Sequence, residues 1–116
     1  MRYLLLLYCE ENAWEAMTSE EQQNAFKAYN SLTTDLAELG KLGASNALQP
    51  TSTATMVRVR NGEVLTTDGP YAETKEQVGG IYMFDAEDLD EAIKWAARVP
   101  SYGNMSVEVR PIMEMN

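Results

Sequence analysis

Five ionisable side chains crowd one short stretch, Thr67-Asp68-Gly69-Pro70-Tyr71-Ala72-Glu73-Thr74-Lys75-Glu76-Gln77-Val78-Gly79-Gly80, between segments that read as strands. A loop of this kind costs order and adds nothing to a core, which marks it as the functional segment. Asp68 and Glu76 are carboxylates able to pass a proton, and Lys75 is a cation able to hold an anionic or carbonyl oxygen. That division of labour suits enolising, isomerising or lyase chemistry. Each residue also has a plain structural reading. Asp68 precedes Gly69-Pro70 and can close an Asx turn; partial burial at a strand end would instead raise its pKa into a useful range. Lys75 and Glu76 are neighbours that need not face each other, and a solvated ion pair accounts for them equally. Three further residues could shape a binding site. Arg58 alternates away from Val57 and Val59; turned inward, its planar fork would clamp a carboxylate, and turned outward it decorates the surface. Tyr71 would add a hydroxyl to an aromatic wall. Tyr82 should bury its ring and aim its hydroxyl at a partner within a cavity.

Several chemistries are excluded by composition. The chain has no histidine, so histidine bases, Ser-His-Asp and Cys-His pairs and ordinary zinc sites have no means of forming. The lone cysteine, Cys9, has no internal disulfide partner and is followed by Glu10 and Glu11, which disfavour a thiolate; it reads as a strand residue. Acidic residues number 18 against 9 basic ones, a net charge of −9, so nucleic acid and anionic membrane surfaces are repelled. The apolar start, Met1 to Cys9, is too short for a signal peptide and meets two glutamates at once, so a cytoplasmic protein is expected. The scattered acids offer weak oxygen ligands, and Gly79-Gly80 lacks phosphate-loop spacing. Neither metal nor organic cofactor is expected.

The elements that must position these residues follow from periodicity and turn chemistry within one expected domain over 1–116. Tyr3 to Tyr8 is apolar at every position, as in a central strand covered on both faces. Thr18 with Glu21 makes a capping box, and Phe26, Tyr29, Leu32, Leu36 and Leu39 stripe a helix over about 19–39 that stops at Gly40, after which Gly43 opens a loop. Thr53 to Arg60 alternates into Asn61-Gly62, a type I′ turn, so Glu63 to Thr67 should return as its partner strand. Val78 to Phe84 reads as a second buried strand, with Gly79-Gly80 allowing a bulge or close backbone approach. Asp88 and Glu91 open a helix with Leu89, Ala92, Ile93 and Ala96 inward. A last strand, about Met105 to Met113, turns Met105, Val107, Val109 and Met113 to one side, with Pro111 pointing to an edge. Trp14 and Trp95 could line a ligand pocket or a subunit interface, with packing the expected role of Trp95 on the second helix.

This order gives a ferredoxin-like βαββαβ plan of the α+β class with an inserted hairpin. Helices on only one side leave the other sheet face bare, and two such sheets packed face to face form a dimeric α+β barrel, hence an expected homodimer.

The segments Thr51 to Arg60 (TSTATMVRVR), Asn61-Gly62, Asp68 to Gly80 (DGPYAETKEQVGG), Asp88 to Pro100 (DLDEAIKWAARVP) and Val107 to Met113 (VEVRPIM) closely resemble the Asp-Gly-Pro-Phe branch of the YCII-related family. Tyr71 stands where that signature has phenylalanine. The resemblance implies a dimeric α+β barrel of mostly uncharacterised function, often linked with extracytoplasmic-function sigma factors. A histidine and an aspartate have been proposed as a catalytic pair in related proteins, and the histidine has no counterpart here. Two functions are therefore expected as alternatives. One is a small polar or anionic molecule bound in the barrel cavity, with cofactor-free acid–base chemistry by Asp68, Lys75 and Glu76. The other is a non-catalytic regulatory or protein-interaction module.

Overall fold

The computed structural model describes residues 1–115 and runs β1 (Arg2–Cys9), α1 (Glu11–Glu15), α2 (Ser19–Glu38), β2 (Leu42–Ala47), a 3-10 turn (Thr51–Thr53), β3 (Thr55–Arg60), β4 (Glu63–Asp68), β5 (Gln77–Asp85), α3 (Leu89–Ala96) and β6 (Ser106–Pro111). Four strands form one sheet in the order β2-β5-β1-β6, and β3-β4 stand apart as a two-stranded sheet. All the pairings are antiparallel. This is the ferredoxin-like α+β plan, with the hairpin inserted between β2 and β5.

The expected apolar first strand sits at the centre of the sheet, and its two faces differ. Tyr3, Leu5 and Leu7 are buried against Leu32 and Leu36 of α2 and Ala92 of α3, together with Tyr82 and Phe84 from β5. Burying side chains of this size contributes about 1.5–3 kcal/mol each. Leu4, Leu6 and Tyr8 point the other way and are only half-buried, facing Met83 and Ile81 of β5 in register with them. No helix covers that face among the described residues.

Local signals set the element ends. The Thr18 hydroxyl accepts from the Glu21 N–H while the Glu21 side chain accepts from the Thr18 N–H. At the other end of α2, Lys41 N–H reaches the Leu36 carbonyl and Gly40 N–H that of Ala37; Gly40 takes φ 69°, the left-handed cap geometry glycine permits. Asn61 (φ 51°) and Gly62 (φ 79°) make the tight turn of the hairpin, leaving Arg60 opposite Glu63.

Four expectations need correction. Leu42–Ala47 is a strand, not a loop: its sequence, LGASNA, has no apolar alternation, and it forms as an edge strand by borrowing the ladder of β5. Phe26 and Leu39 of the α2 stripe are exposed; Phe26 lies edge-on to Trp14 rather than on the sheet. In α3 the close approach is made by Ala92, with Trp95 and Ala96 beside it, while Leu89 and Ile93 stay about half exposed. Met113 follows the end of β6 and is exposed, whereas Met105, Val107 and Val109 pack on the core as expected.

Candidate functional site

Strand β1 ends where the chain must turn, and Glu10 and Glu11 fasten three separate segments at that point. Glu10 Oε1 accepts from Asn104 Nδ2 at 2.7 Å and pairs with Lys75 Nζ at 3.5 Å. Both carboxylate oxygens of Glu11 lie 3.3 Å from the Thr51 N–H, and the Thr51 hydroxyl donates to the same group. The acidic pair is thus a clasp joining α1, the 3-10 turn, the 68–77 loop and the segment before β6.

The loop is held from within by Gln77. Its amide donates to the carbonyls of Ala72 at 2.8 Å and Thr74 at 2.9 Å, and the Thr74 hydroxyl donates to the Glu76 carbonyl at 2.6 Å. Between loop, clasp and 3-10 turn lies an open polar groove of about 690 Å³, walled by Glu10, Glu11, Thr51, Glu73, Thr74 and Lys75 among others. Lys75 is well exposed there, so its pair with Glu10 is worth little in water.

A second, more enclosed void of about 720 Å³ opens between the sheet and α1–α2. Its size lies in the range of small-molecule sites. The walls include Trp14 of α1, Phe26, Tyr29 and Thr33 of α2, Tyr82 of β5 and Tyr102 from the loop before β6. Trp14 meets Phe26 edge-on at 5.0 Å and Tyr102 at 5.5 Å between ring centres. The Thr33 and Tyr82 hydroxyls share a hydrogen bond of 3.1 Å, which gives Tyr82 the partner expected of a buried phenol. Groove and cleft share Glu11, Asn12 and Gln77 as a common wall.

A bulge at the end of β5 shapes the cleft floor. The β1–β5 register slips between Leu7 and Tyr8, so that Leu7 faces Gly80 but Tyr8 faces Val78. Gly79 is the extra residue, and a Cβ there would lie 2.7 Å from Cys9 Sγ. The glycine therefore admits the thiol, as the expected close approach requires.

The protonation of the cleft follows from its burial. Burial pushes the Cys9 thiol up, and the charges of Glu11 and Glu76 push the same way; the acids acting on it are these two rather than Glu10. Burial raises the Tyr29 hydroxyl far above its ordinary value, with Tyr102 adding to the effect, and burial raises Tyr102 as well. All three stay protonated at neutral pH and act as neutral hydrogen-bonding groups.

The residues singled out from sequence are spread over both voids and beyond them. Lys75 lines the groove and Tyr82 the cleft. Glu76 is half-buried and reaches the cleft only through its charge on Cys9. Asp68 ends β4 opposite Thr55 and is exposed. Arg58 and Tyr71 are exposed on the hairpin and loop, with Tyr71 82% accessible. Trp14 lines the cleft, whereas Tyr29 and Tyr102 escaped sequence reasoning as site residues. Tyr102 carried a signal, an aromatic ring inside the turn-rich run Ser101-Tyr102-Gly103-Asn104, and Tyr29 is a hydroxyl on a stripe that leucine would fill as well.

The family model described as the YCII-related domain matches residues 1–116. An uncharacterised protein of Rhizobium meliloti (strain 1021) is 39% identical over 116 residues, spanning 97% of this chain and 92% of that protein.

Proposed function

We propose, from the premise that this chain belongs to the YCII-related family, that it binds a small molecule in the cleft between the sheet and α1–α2. One observation carries the reading: a void of about 720 Å³ is walled by aromatic rings and hydroxyls, and burial holds its phenols Tyr29 and Tyr102 and the Cys9 thiol uncharged. Such a wall is suited to holding a ligand by contact and hydrogen bonds. Proton transfer, if the ligand reacts, falls to the charged loop, where Lys75 lies in the groove that shares a wall with the cleft. Cofactor-free acid–base chemistry by Asp68, Lys75 and Glu76 is the finer form of this proposal, and the Asp68-Gly69-Pro70-Tyr71 sequence supports placing the chain in the family's Asp-Gly-Pro-Phe branch. The test is retention of a metabolite. Protein incubated with a fractionated cell extract, desalted and examined by native mass spectrometry should carry an added small mass. Ser45→Trp, which fills the cleft from the edge strand, should lose it while keeping its circular dichroism. Equal retention by both proteins defeats the cleft as the site.

A second reading concerns the bare sheet face. Leu4, Leu6, Ile81 and Met83 form an apolar surface in cross-strand register, and its half-buried state leaves apolar area for a second copy to cover. Two copies facing each other through it would close the dimeric α+β barrel, and Arg58 and Tyr71, both exposed in a single chain, belong to this reading as residues that would shape binding in the space enclosed between the sheets. Sedimentation equilibrium should give twice the chain mass, and Leu6→Glu should return the protein to one chain. A wild-type monomer at tens of micromolar rejects the homodimer. The alternative of a regulatory module, linked through the family resemblance to sigma factors, draws on the exposed apolar face of the hairpin, Val57, Val59 and Val64.

A further inference from the structure

We infer that the cleft selects a small organic cation, a protonated or quaternary amine carried on an apolar body; this rests on the reading of the cleft as a ligand site. The first support is the charge of the wall. Glu11 and Glu15 line the cleft, and among the described residues no lysine or arginine does. Glu11 is fixed in place by the Thr51 N–H and hydroxyl. Glu15 takes no part in the ion pairs of the described residues, so its charge is free for a ligand. An anion entering here would lose its hydration and gain no cationic partner. The whole chain, at −9, also draws cations toward it.

The second support is independent of the first and lies in the rings. Trp14 crosses Phe26 at 70° and Tyr102 at 64°, so its ring stands steeply to both neighbours instead of stacking on them. All three rings line the void, and an aromatic face left open to it is electron-rich. Tyr29 and Tyr82 add two more rings to the same wall. An ammonium within about 6 Å of such faces gains roughly 0.5–2 kcal/mol, most where water is excluded. An aliphatic or aromatic body on the same molecule would rest against Leu7 and Met105 deeper in. The neutral hydroxyls of Tyr29 and Tyr102 and the Cys9 thiol do not compete with the cation as charges, and a phenol oxygen can accept from an N–H donor.

The experiment compares three probes of similar shape: benzyltrimethylammonium, benzyl alcohol and benzoate. Each is titrated into the full-length protein while the aromatic ring resonances are followed by NMR. Benzyltrimethylammonium should shift the Tyr29, Tyr102 and Trp14 signals to saturation and bind at least about fivefold more tightly than benzyl alcohol, the factor a cation–π gain of about 1 kcal/mol gives. Glu15→Gln, an exposed change that should not disturb folding, should weaken the ammonium roughly twofold to fivefold and leave benzyl alcohol unaffected. If benzyl alcohol shifts the same signals and binds as tightly as the ammonium, or benzoate binds best, the cation preference is overturned while the cleft stands as a site. If none of the three moves those signals at millimolar concentration, the cleft reading falls with it.

Discussion

The helix-covered side of the main sheet and the hairpin arm are both β-structure, yet opposite forces hold them. Leu5, Leu32, Leu36 and Phe84 are almost wholly removed from water. In the arm, nearly every residue of β3 and β4 is exposed, including Val57, Val59 and Val64, which share one face. The first region is held by burial; the second is held by its ladder and the Asn61-Gly62 turn. A two-stranded ribbon without a covered face is marginal by itself. The radius of gyration makes the same point, at 16.2 Å against about 13 Å expected of a compact domain of this length. What the difference teaches is that sequence distinctiveness and self-sufficiency are separate properties: the most recognisable stretch of this chain is the one its own core supports least.

Substitutions in the two regions should separate these forces. The largest effect belongs to the core, where Leu36→Ala should cost about 2–5 kcal/mol in urea unfolding; a loss below 1 kcal/mol would mean that the sheet–helix packing is loose. Next comes the junction between cleft and loop. Gly79→Ala should cost roughly 1–3 kcal/mol because its methyl meets the Cys9 sulfur, and adding Cys9→Ala should recover most of it. An additive double variant would show that the bulge is strained for another reason. Smaller again is the Lys41–Glu91 pair, 2.6 Å between charges. The Lys41 contact, the Glu87 N–H and the Trp95 indole hold the Glu91 carboxyl down to about 2. Since the folded value lies below the unfolded one, the stability it contributes is complete above about pH 5 and is lost as the pH falls through the folded value. Lys41→Met should cost roughly 1–2 kcal/mol at neutral pH, discounted for partial exposure, and should flatten the acid limb of stability between pH 5 and 2. An unchanged acid limb would point to other carboxylates. The smallest effect is expected in the arm, where Val64→Thr should change the stability of a single chain by no more than about 0.5 kcal/mol. A clearly larger loss that grows with protein concentration would reveal a covered arm.

Much of the fold was legible because it rests on local rules. The capping box at Thr18, the Gly40 stop, the Asn61-Gly62 turn and the Asp88 cap, which accepts from the Glu91 N–H, each act within four residues, so the chain announces them. β2 did not announce itself. Its residues have no apolar period, and only the neighbouring strand makes Leu42–Ala47 extended. The site was less legible for the same reason. Cys9, Tyr29 and Tyr102 come from three distant parts of the chain and meet only after the sheet and α2 have formed. The loop charges could be seen from sequence, but their distances could not, and Asp68 lies with the arm while Lys75 lies with the clasp.

The slipped register beside Gly79 has a geometric consequence for the whole 68–77 segment. Side chains along a strand alternate in direction, and one surplus residue inverts the alternation for everything upstream of it. Gln77, whose amide anchors the loop carbonyls, therefore owes its orientation to a counting offset in the adjacent backbone. Removing Gly79 would restore a regular ladder with Gln77 still opposite Cys9, whereas pairing Gly79 into the ladder would rotate the anchor to the opposite side of the sheet, so the phase of the strand, as much as any charge, dictates where the loop can stand.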